Sequence, residues 1–207
     1  MARYAPALVT TLLMACSTGV LAANSTDLGV RGALVPSSCT PLLSDGGIVD
    51  HGKLSVRDLH PDEPTHLHTS SLQMEISCEA PTLFTLTTID NRAGTSAIHP
   101  ASHGLGMADE HQKLGSVAFR LYDVIADGQS VLVILSLDGG ATWRLSPYLG
   151  HLGKTGFASP DNLAAPIAVR KLNARLSAFT TLVPGNDLSK VDDILIDGHA
   201  TVQVTYL

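Results

Sequence analysis

The sequence predicts an all-β fold in which short antiparallel strands pack into a sandwich. Runs of alternating apolar and polar residues, separated by turns rich in Gly, Pro, Asp and Ser, are the main observation. With 44% hydrophobic residues, the 207-residue chain can build one domain with its own core. Its formal net charge is −6, so no positive field exists to hold a phosphate backbone. Nucleic acid is therefore not an expected partner.

Residues 1–23 are predicted to be a secretory signal peptide. Arg3 precedes a short apolar run that ends in the small residues Ala22 and Ala23, where a signal peptidase would cut. An alternative is lipidation at Cys16, but the later cleavage site fits better. The run is too short and too interrupted by Thr and Pro to span a bilayer. We expect an exported mature chain without a transmembrane segment.

Two cysteines, Cys39 and Cys78, remain after removal of the signal peptide. In an oxidising compartment one disulfide between them is the simplest outcome. Closing a loop of about 40 residues would stabilise the fold by roughly 4 kcal/mol. A metal-binding or catalytic thiol pair is disfavoured, because the spacing is far from C-x-x-C.

The clearest strand covers residues 71–78, where Leu72, Met74, Ile76 and Cys78 share one face. This alternation places Cys78 inward. Further strands are predicted at 82–89, 117–124, 131–137 and 200–206. The strand 131–137 is predicted to form a hairpin with residues 141–145.

Two stretches are harder to assign. Residues 167–183 fit both a helical face and an alternating strand; we favour a strand, because its surroundings are β and Thr180-Thr181 prefer extended backbone. Residues 99–115 have no period and are predicted to be a long loop.

Residues 136–143 match the Asp-box pattern S-x-D-x-G-x-T-W, which resembles the turns of sialidase propeller blades. A propeller would need several copies, and the chain has one. We interpret the motif as a hairpin turn with Trp143 packed beneath it, not as a sign of glycosidase activity. The chain has no G-x-S-x-G, H-E-x-x-H, P-loop or G-x-G-x-x-G motif, so neither an enzyme nor a cofactor is predicted.

His60, His66 and His68 lie close to Asp62 and Glu63 and are weak candidates for a zinc or copper site. The favoured interpretation is a polar loop rich in Pro and His, so no metal is predicted.

Several motifs occur in a fixed order along the mature chain. Leu28, Val30, Gly32 and Leu34 alternate near the start, and the chain ends on an alternating strand with Tyr206 penultimate. Between them lie G-G-x-V-D-x-G (46–52), C-x-A-P-T (78–82), D-N-R-x-G (90–94) and D-G-G-x-T-W (138–143). This order resembles subunits of chaperone–usher fimbriae, and more narrowly the fimbrial-like family called domain of unknown function 1120. Gly198 and His51 depart from the usual pattern.

The resemblance implies an immunoglobulin-like sandwich (36–207) that lacks its last strand, preceded by a donor-strand segment (24–35). A periplasmic chaperone would lend the missing strand, and the donor segment of the next subunit would replace it. The implied donor residues are Leu28, Val30, Gly32 and Leu34. The implied acceptor groove, which also binds the chaperone, is lined by Ala200, Val202, Val204 and Tyr206.

On this interpretation the protein is a structural subunit of a surface fimbria that contributes to adhesion. Its partners would be the chaperone, an outer-membrane usher and neighbouring subunits. It would pass through the periplasm to the cell surface. Three alternatives stay open. Both chain ends could be ordinary strands of a complete sandwich, or the protein could be a secreted monomer that binds metal, through the three loop histidines, or a glycan. The third is a periplasmic enzyme with an unrecognised site, which nothing in the sequence supports beyond its location.

Overall fold

A computed structural model describes residues 38–188 and 195–207. In these residues the chain forms strands and three short 3₁₀ helices, and no α-helix. The strands are β1 (Cys39–Leu43), β2 (Thr65–His66), β3 (Ser70–Thr82), β4 (Phe84–Asp90), β5 (His103–Gly104), β6 (Gly115–Ala126), β7 (Gln129–Ser130), β8 (Leu132–Ser136), β9 (Arg144–Leu145), β10 (Tyr148–Leu149), β11 (Lys154–Ala158), β12 (Val169–Leu182) and β13 (Ala200–Tyr206). The 3₁₀ helices are Ser44–Gly47, Val56–Asp58 and Gly185–Asp187. Within the same residues, no helix has the length and hydropathy to cross a membrane.

The strands form two sheets that pack face to face. The first sheet has the order β1-β3-β12-β6-β10, with β2 added to β12 and β5 and β7 added to β6. The second sheet has the order β13-β4-β11-β8-β9. All pairings between these strands are antiparallel. The predicted all-β antiparallel sandwich is confirmed.

The core lies between the sheets and is built from alternate residues of long strands. On the first sheet, Leu72 lies opposite Leu176, and Ile76 lies opposite Leu172, with all four side chains buried. The second sheet contributes Phe84 and Phe157, whose rings meet edge to face at 5.8 Å. Burying one large apolar side chain stabilises the folded state by roughly 1.5–3 kcal/mol. The alternation of apolar residues therefore determines which face of each strand turns inward.

The ambiguous stretch 167–183 is a strand, as predicted. It forms β12, which is paired on both sides by β3 and β6. Continuous pairing on two sides satisfies its backbone groups in the extended form. The long loop predicted for 99–115 needs one correction, because β5 lies within it and pairs with β6. The strand β11 was not predicted.

The predicted disulfide between Cys39 and Cys78 is present. It joins β1 to β3, in which the two cysteines are directly opposite each other. Cys78 is buried, as its place in the alternation predicts.

The Asp-box motif forms a hairpin between β8 and β9. The Asp138 carboxylate accepts hydrogen bonds from the Ser136 hydroxyl (2.6 Å) and from the Thr142 amide (2.9 Å). These bonds hold the pKa of Asp138 well below its usual range. The Trp143 indole N–H donates to the Gly140 carbonyl at 3.1 Å. The motif is accounted for as a turn.

Candidate functional site

The strand β13 lies at the edge of the second sheet and pairs only with β4 among the described strands. The Asn91 amide donates to the His199 carbonyl (2.9 Å), and the Leu207 amide donates to Leu83 (3.1 Å). Bonded and non-bonded positions alternate along an antiparallel pair, so odd-numbered residues of β13 bond to β4. The backbone groups of the even-numbered residues therefore face away from β4, where no described strand accepts them.

The side chains of β13 alternate in the same way. Ala200, Val202 and Val204 are half-buried, whereas the residues between them are exposed. Val202 and Val204 pack against the main core. The inward residues of this strand are less buried than those of β3 and β12, because no further described strand covers them on the open side.

Tyr206 closes one end of this edge. Its ring is half-exposed, and its hydroxyl accepts a hydrogen bond from the Cys39 amide at 2.9 Å. This bond ties the end of β13 to the beginning of β1. Beyond that point β1 continues into residues 43–51, which form the opposite wall of an opening between the sheets.

A cavity of about 580 Å³ lies in this opening. One wall is Ile196 and the beginning of β13, and the other is residues 43–51. Side chains of β6 and β12 form the floor: Val117, Phe119, Leu176 and Ala178. A cavity of about 150 Å³ holds one benzene-sized group, so this one has room for about four such groups. We call the open side of β13, the cavity and the wall 43–51 the edge groove.

The mouth of the edge groove carries exposed apolar side chains. Ile48, which lines the cavity, is 68% exposed, and Leu195, next to the lining residue Ile196, is 76% exposed. Large apolar side chains left in water beside an apolar cavity are typical of an interaction site.

Two histidines add polar groups to the groove. The His51 Nε2 lies 2.9 Å from the Thr180 hydroxyl, and the His103 Nε2 lies 2.6 Å from the Thr88 hydroxyl. His103 is 1% exposed. Burial lowers the pKa of both rings, and a neighbouring histidine adds to the effect in each case. The lowered pKa values favour the neutral form of both rings at neutral pH, which suits a groove lined mainly by aliphatic side chains.

The structure places the predicted acceptor residues on one strand but gives them different positions. Ala200 and Val202 line the cavity, Val204 lies farther along the same face, and Tyr206 closes the end. The predicted donor residues Leu28, Val30, Gly32 and Leu34 lie outside the described residues, as do the predicted signal peptide and residues 189–194.

The opposite wall was not predicted as part of the site. The run Gly46-Gly47-Ile48-Val49-Asp50-His51-Gly52 was noted as a motif, and its glycines were a usable signal for an irregular segment. Gly46, Gly47 and Gly52 all have positive φ, which glycine adopts without strain. His103 carried no local signal, because only the pairing of β5 with β6 brings it to the cavity.

The three loop histidines do not come together as a site. The His66 Nδ1 lies 2.9 Å from the Thr181 hydroxyl, and the His68 ring packs against His51 at 5.1 Å. The His60 amide donates to Thr65. In the part of the chain that the structure describes, no group of three or more His, Cys, Asp or Glu side chains could hold a metal ion.

Fold and site together define a disulfide-linked β-sandwich with an open sheet edge beside an apolar groove. The family described as "Protein of unknown function (DUF1120)" matches residues 28–103. The chain is also similar to two proteins of Escherichia coli (strain K12). It is 25% identical to "Protein GltF", over 90% of this chain and 91% of that protein. It is 24% identical to "Uncharacterized protein YhcF", over 90% of this chain and 92% of that protein.

Proposed function

We propose that the protein is a structural subunit of a bacterial surface fimbria, assembled by the chaperone–usher route. It contributes to adhesion as part of a fibre and has no catalytic activity or cofactor. The observation that carries the proposal is the edge groove, in which backbone groups that have no partner among the described strands lie beside a mainly apolar cavity.

An added β-strand suits both features of the groove. Its backbone would pair with the free amides and carbonyls of Ala200, Val202 and Val204, and its alternate side chains would enter the cavity. A bare sheet edge is also a template for aggregation, so a strand added at β13 would protect this edge. In transit that strand would come from a periplasmic chaperone, and in the fibre from the next subunit.

Residues 24–35 of a second copy are the proposed occupant in the fibre. Leu28, Val30 and Leu34 would project to the same side of an extended segment, with Gly32 between them. Three aliphatic side chains and one glycine suit a cavity with room for about four benzene-sized groups.

The test is assembly of the full chain in its native host, followed by unboiled samples on a denaturing gel. Strand-exchanged oligomers resist the detergent and form a ladder. Val30→Asp places a charge on the donor face, and Val202→Asp places one in the groove, so we expect each to abolish the ladder. Arg31→Asp and Gln203→Asp are the matched controls on the opposite faces of the same segments, and both should keep it.

A ladder that survives Val30→Asp and Val202→Asp would contradict donor-strand assembly. A wild-type chain that stays a folded monomer in a host lacking the chaperone would also contradict the proposal. That result would favour the alternative, a secreted monomeric binding module.

A further inference from the structure

We propose that Arg92 is a positioning residue of the edge groove: its ion pair with Asp197 fixes the lip over which an incoming strand must pass. The lip is the segment 195–199, which leads into β13. This inference rests on the proposed function, because the lip matters only if the groove receives a strand.

The lip forms part of the groove but belongs to no strand. Ile196, Gly198 and His199 line the cavity. Among the described residues, two backbone bonds hold the lip beyond the pairing of β13 with β4. The Asp197 amide donates to the Leu105 carbonyl (3.0 Å), and the His199 carbonyl accepts from Asn91 (2.9 Å).

Ile196 also packs against the apolar cluster that contains Leu105, and the Arg92 side chain adds a polar attachment. Its Nε lies 2.9 Å from one Asp197 carboxylate oxygen, and its Nη2 lies 2.8 Å from the other. A two-point pair of this kind fixes direction as well as distance, because the planar guanidinium matches the planar carboxylate. The pair holds the pKa of Asp197 below its usual value, so the carboxylate is ionised at neutral pH.

Arg92 itself is held in place by the turn that follows β4. The Asp90 carboxylate accepts from the amides of Arg92 (2.9 Å) and Gly104 (3.0 Å). The Thr95 hydroxyl donates to the Arg92 carbonyl (2.7 Å) and accepts from the Gly106 amide (3.1 Å). The turn is therefore bonded to both ends of the segment 104–106, against which the lip rests.

The lip has little room to move toward that segment. A Cβ added at Gly198 would lie only 2.9 Å from the Leu105 Cδ2, so the backbone packs closely there. The close packing at Gly198 and the two-point bond at Asp197 together restrict the position of Ile196 at the mouth of the cavity. The D-N-R-x-G motif, residues 90–94, therefore connects the end of β4 to the lip.

The Arg92–Asp197 pair is too exposed to add much to the free energy of unfolding. Its side chains are 36% and 48% exposed, and pairs this exposed add little to the free energy of folding. A control of similar exposure exists on the outer face of the other sheet. There Arg175 pairs with Asp123 at 2.7 Å, with side-chain exposures of 40% and 73%.

The test uses the full chain carrying Val30→Asp, which removes its donor face and changes no contact described above. A fluorescent peptide with the sequence of residues 24–35 is the probe, and its anisotropy reports binding. We expect Arg92→Gln and Asp197→Asn each to weaken binding by about tenfold. The double variant should be no worse than either single one, because both remove the same bond. The exchanged pair Arg92→Asp with Asp197→Arg should restore binding, and Arg175→Gln should leave it unchanged.

Thermal melting separates positioning from stability. The melting temperature should shift by less than about 4 °C in Arg92→Gln. Binding by Arg92→Gln within about twofold of the parent would overturn the inference while leaving the groove intact. A fall in melting temperature of more than about 10 °C would overturn it too, because the pair would then support the fold. A parent chain that does not bind the peptide would overturn the proposed function and this inference with it.

Discussion

At the scale of single residues, the edge groove depends on a few contacts that close its ends. Tyr206 bonds to the Cys39 amide at one end, and Arg92 bonds to Asp197 at the other. Cys39 is also joined to Cys78 of β3. The disulfide therefore anchors β1, which bonds to Tyr206 and leads into the wall 43–51.

The Tyr206 hydroxyl is expected to make a measurable contribution to stability. Tyr206→Phe removes one hydrogen bond and keeps the ring, so the free energy of unfolding should fall by about 1 kcal/mol. Urea denaturation measures this as a lower midpoint with an unchanged slope. Tyr122→Phe is the control, because the ring that packs against Arg175 is kept. Equal midpoints for the two variants would show that the Tyr206 bond does not tie β13 to β1.

At the scale of elements, alternation identified the strands that have one face in the core. β3 and β13 follow the predicted pattern, and β12 was settled by pairing with neighbours on both sides. β11 was missed because Thr155, Gly156, Phe157 and Ala158 are all buried, so the strand shows no alternation. It lies between β4 and β8 in the middle of the sheet, where both faces are covered.

The groove could be predicted only in part, because alternation identifies only the segments that have one face in the core. Alternation places Ala200, Val202 and Val204 on one face, which is enough to predict one wall. The opposite wall, residues 43–51, has no alternating pattern. It begins the connection from β1 to β3, so its position follows from the tertiary structure. His103 reaches the floor only through tertiary pairing.

The histidines of the groove predict a pH dependence of stability. The pKa of His51 is lowered by burial and by His68, against a smaller opposing effect of Asp50. The pKa of His103 is lowered by burial and by His151, against smaller opposing effects of Asp90 and the Val117 backbone. The unfolded chain therefore binds more protons than the folded one just below the ordinary histidine pKa, and the free energy of unfolding falls as the pH decreases from about 7 to about 5.

Urea denaturation across this pH range tests the expectation. The half-buried His51 allows a mild control: His51→Gln removes one of the two titrating groups and should make the pH profile shallower. A profile that keeps its full slope in His51→Gln would contradict the assignment of the effect to this ring. A free energy of unfolding that rises toward pH 5 would contradict the sign of both pKa shifts.

At the scale of the whole molecule, the proposed function requires a sandwich that is one strand short. The proposed donor segment and groove on the same chain would make a head-to-tail polymer, because each copy could give one strand and receive one. Giving a strand and receiving one can be separated by substitution, since Val30 belongs to the proposed donor segment and Val202 to the groove.

Mixing two defective full-length chains gives a prediction for this arrangement. Val30→Asp keeps an intact groove, and Val202→Asp keeps an intact donor segment. Each alone should stay a monomer, and an equal mixture should form heterodimers that stop at two subunits. Unboiled denaturing gels with differently tagged chains measure this. Longer ladders in the mixture, or the absence of any dimer, would be inconsistent with head-to-tail strand exchange.

The most direct measurement is amide hydrogen exchange along β13 in that heterodimer. The isotope-labelled chain is Val30→Asp, and unlabelled Val202→Asp is the donor. The odd-numbered amides Thr201, Gln203 and Thr205 bond to β4 in both states and should change little. The amides of Val202 and Val204 face the open edge, so their exchange should slow by at least about tenfold when the donor strand pairs with them. Dimerisation without slower exchange at Val202 and Val204 would contradict strand addition at this edge.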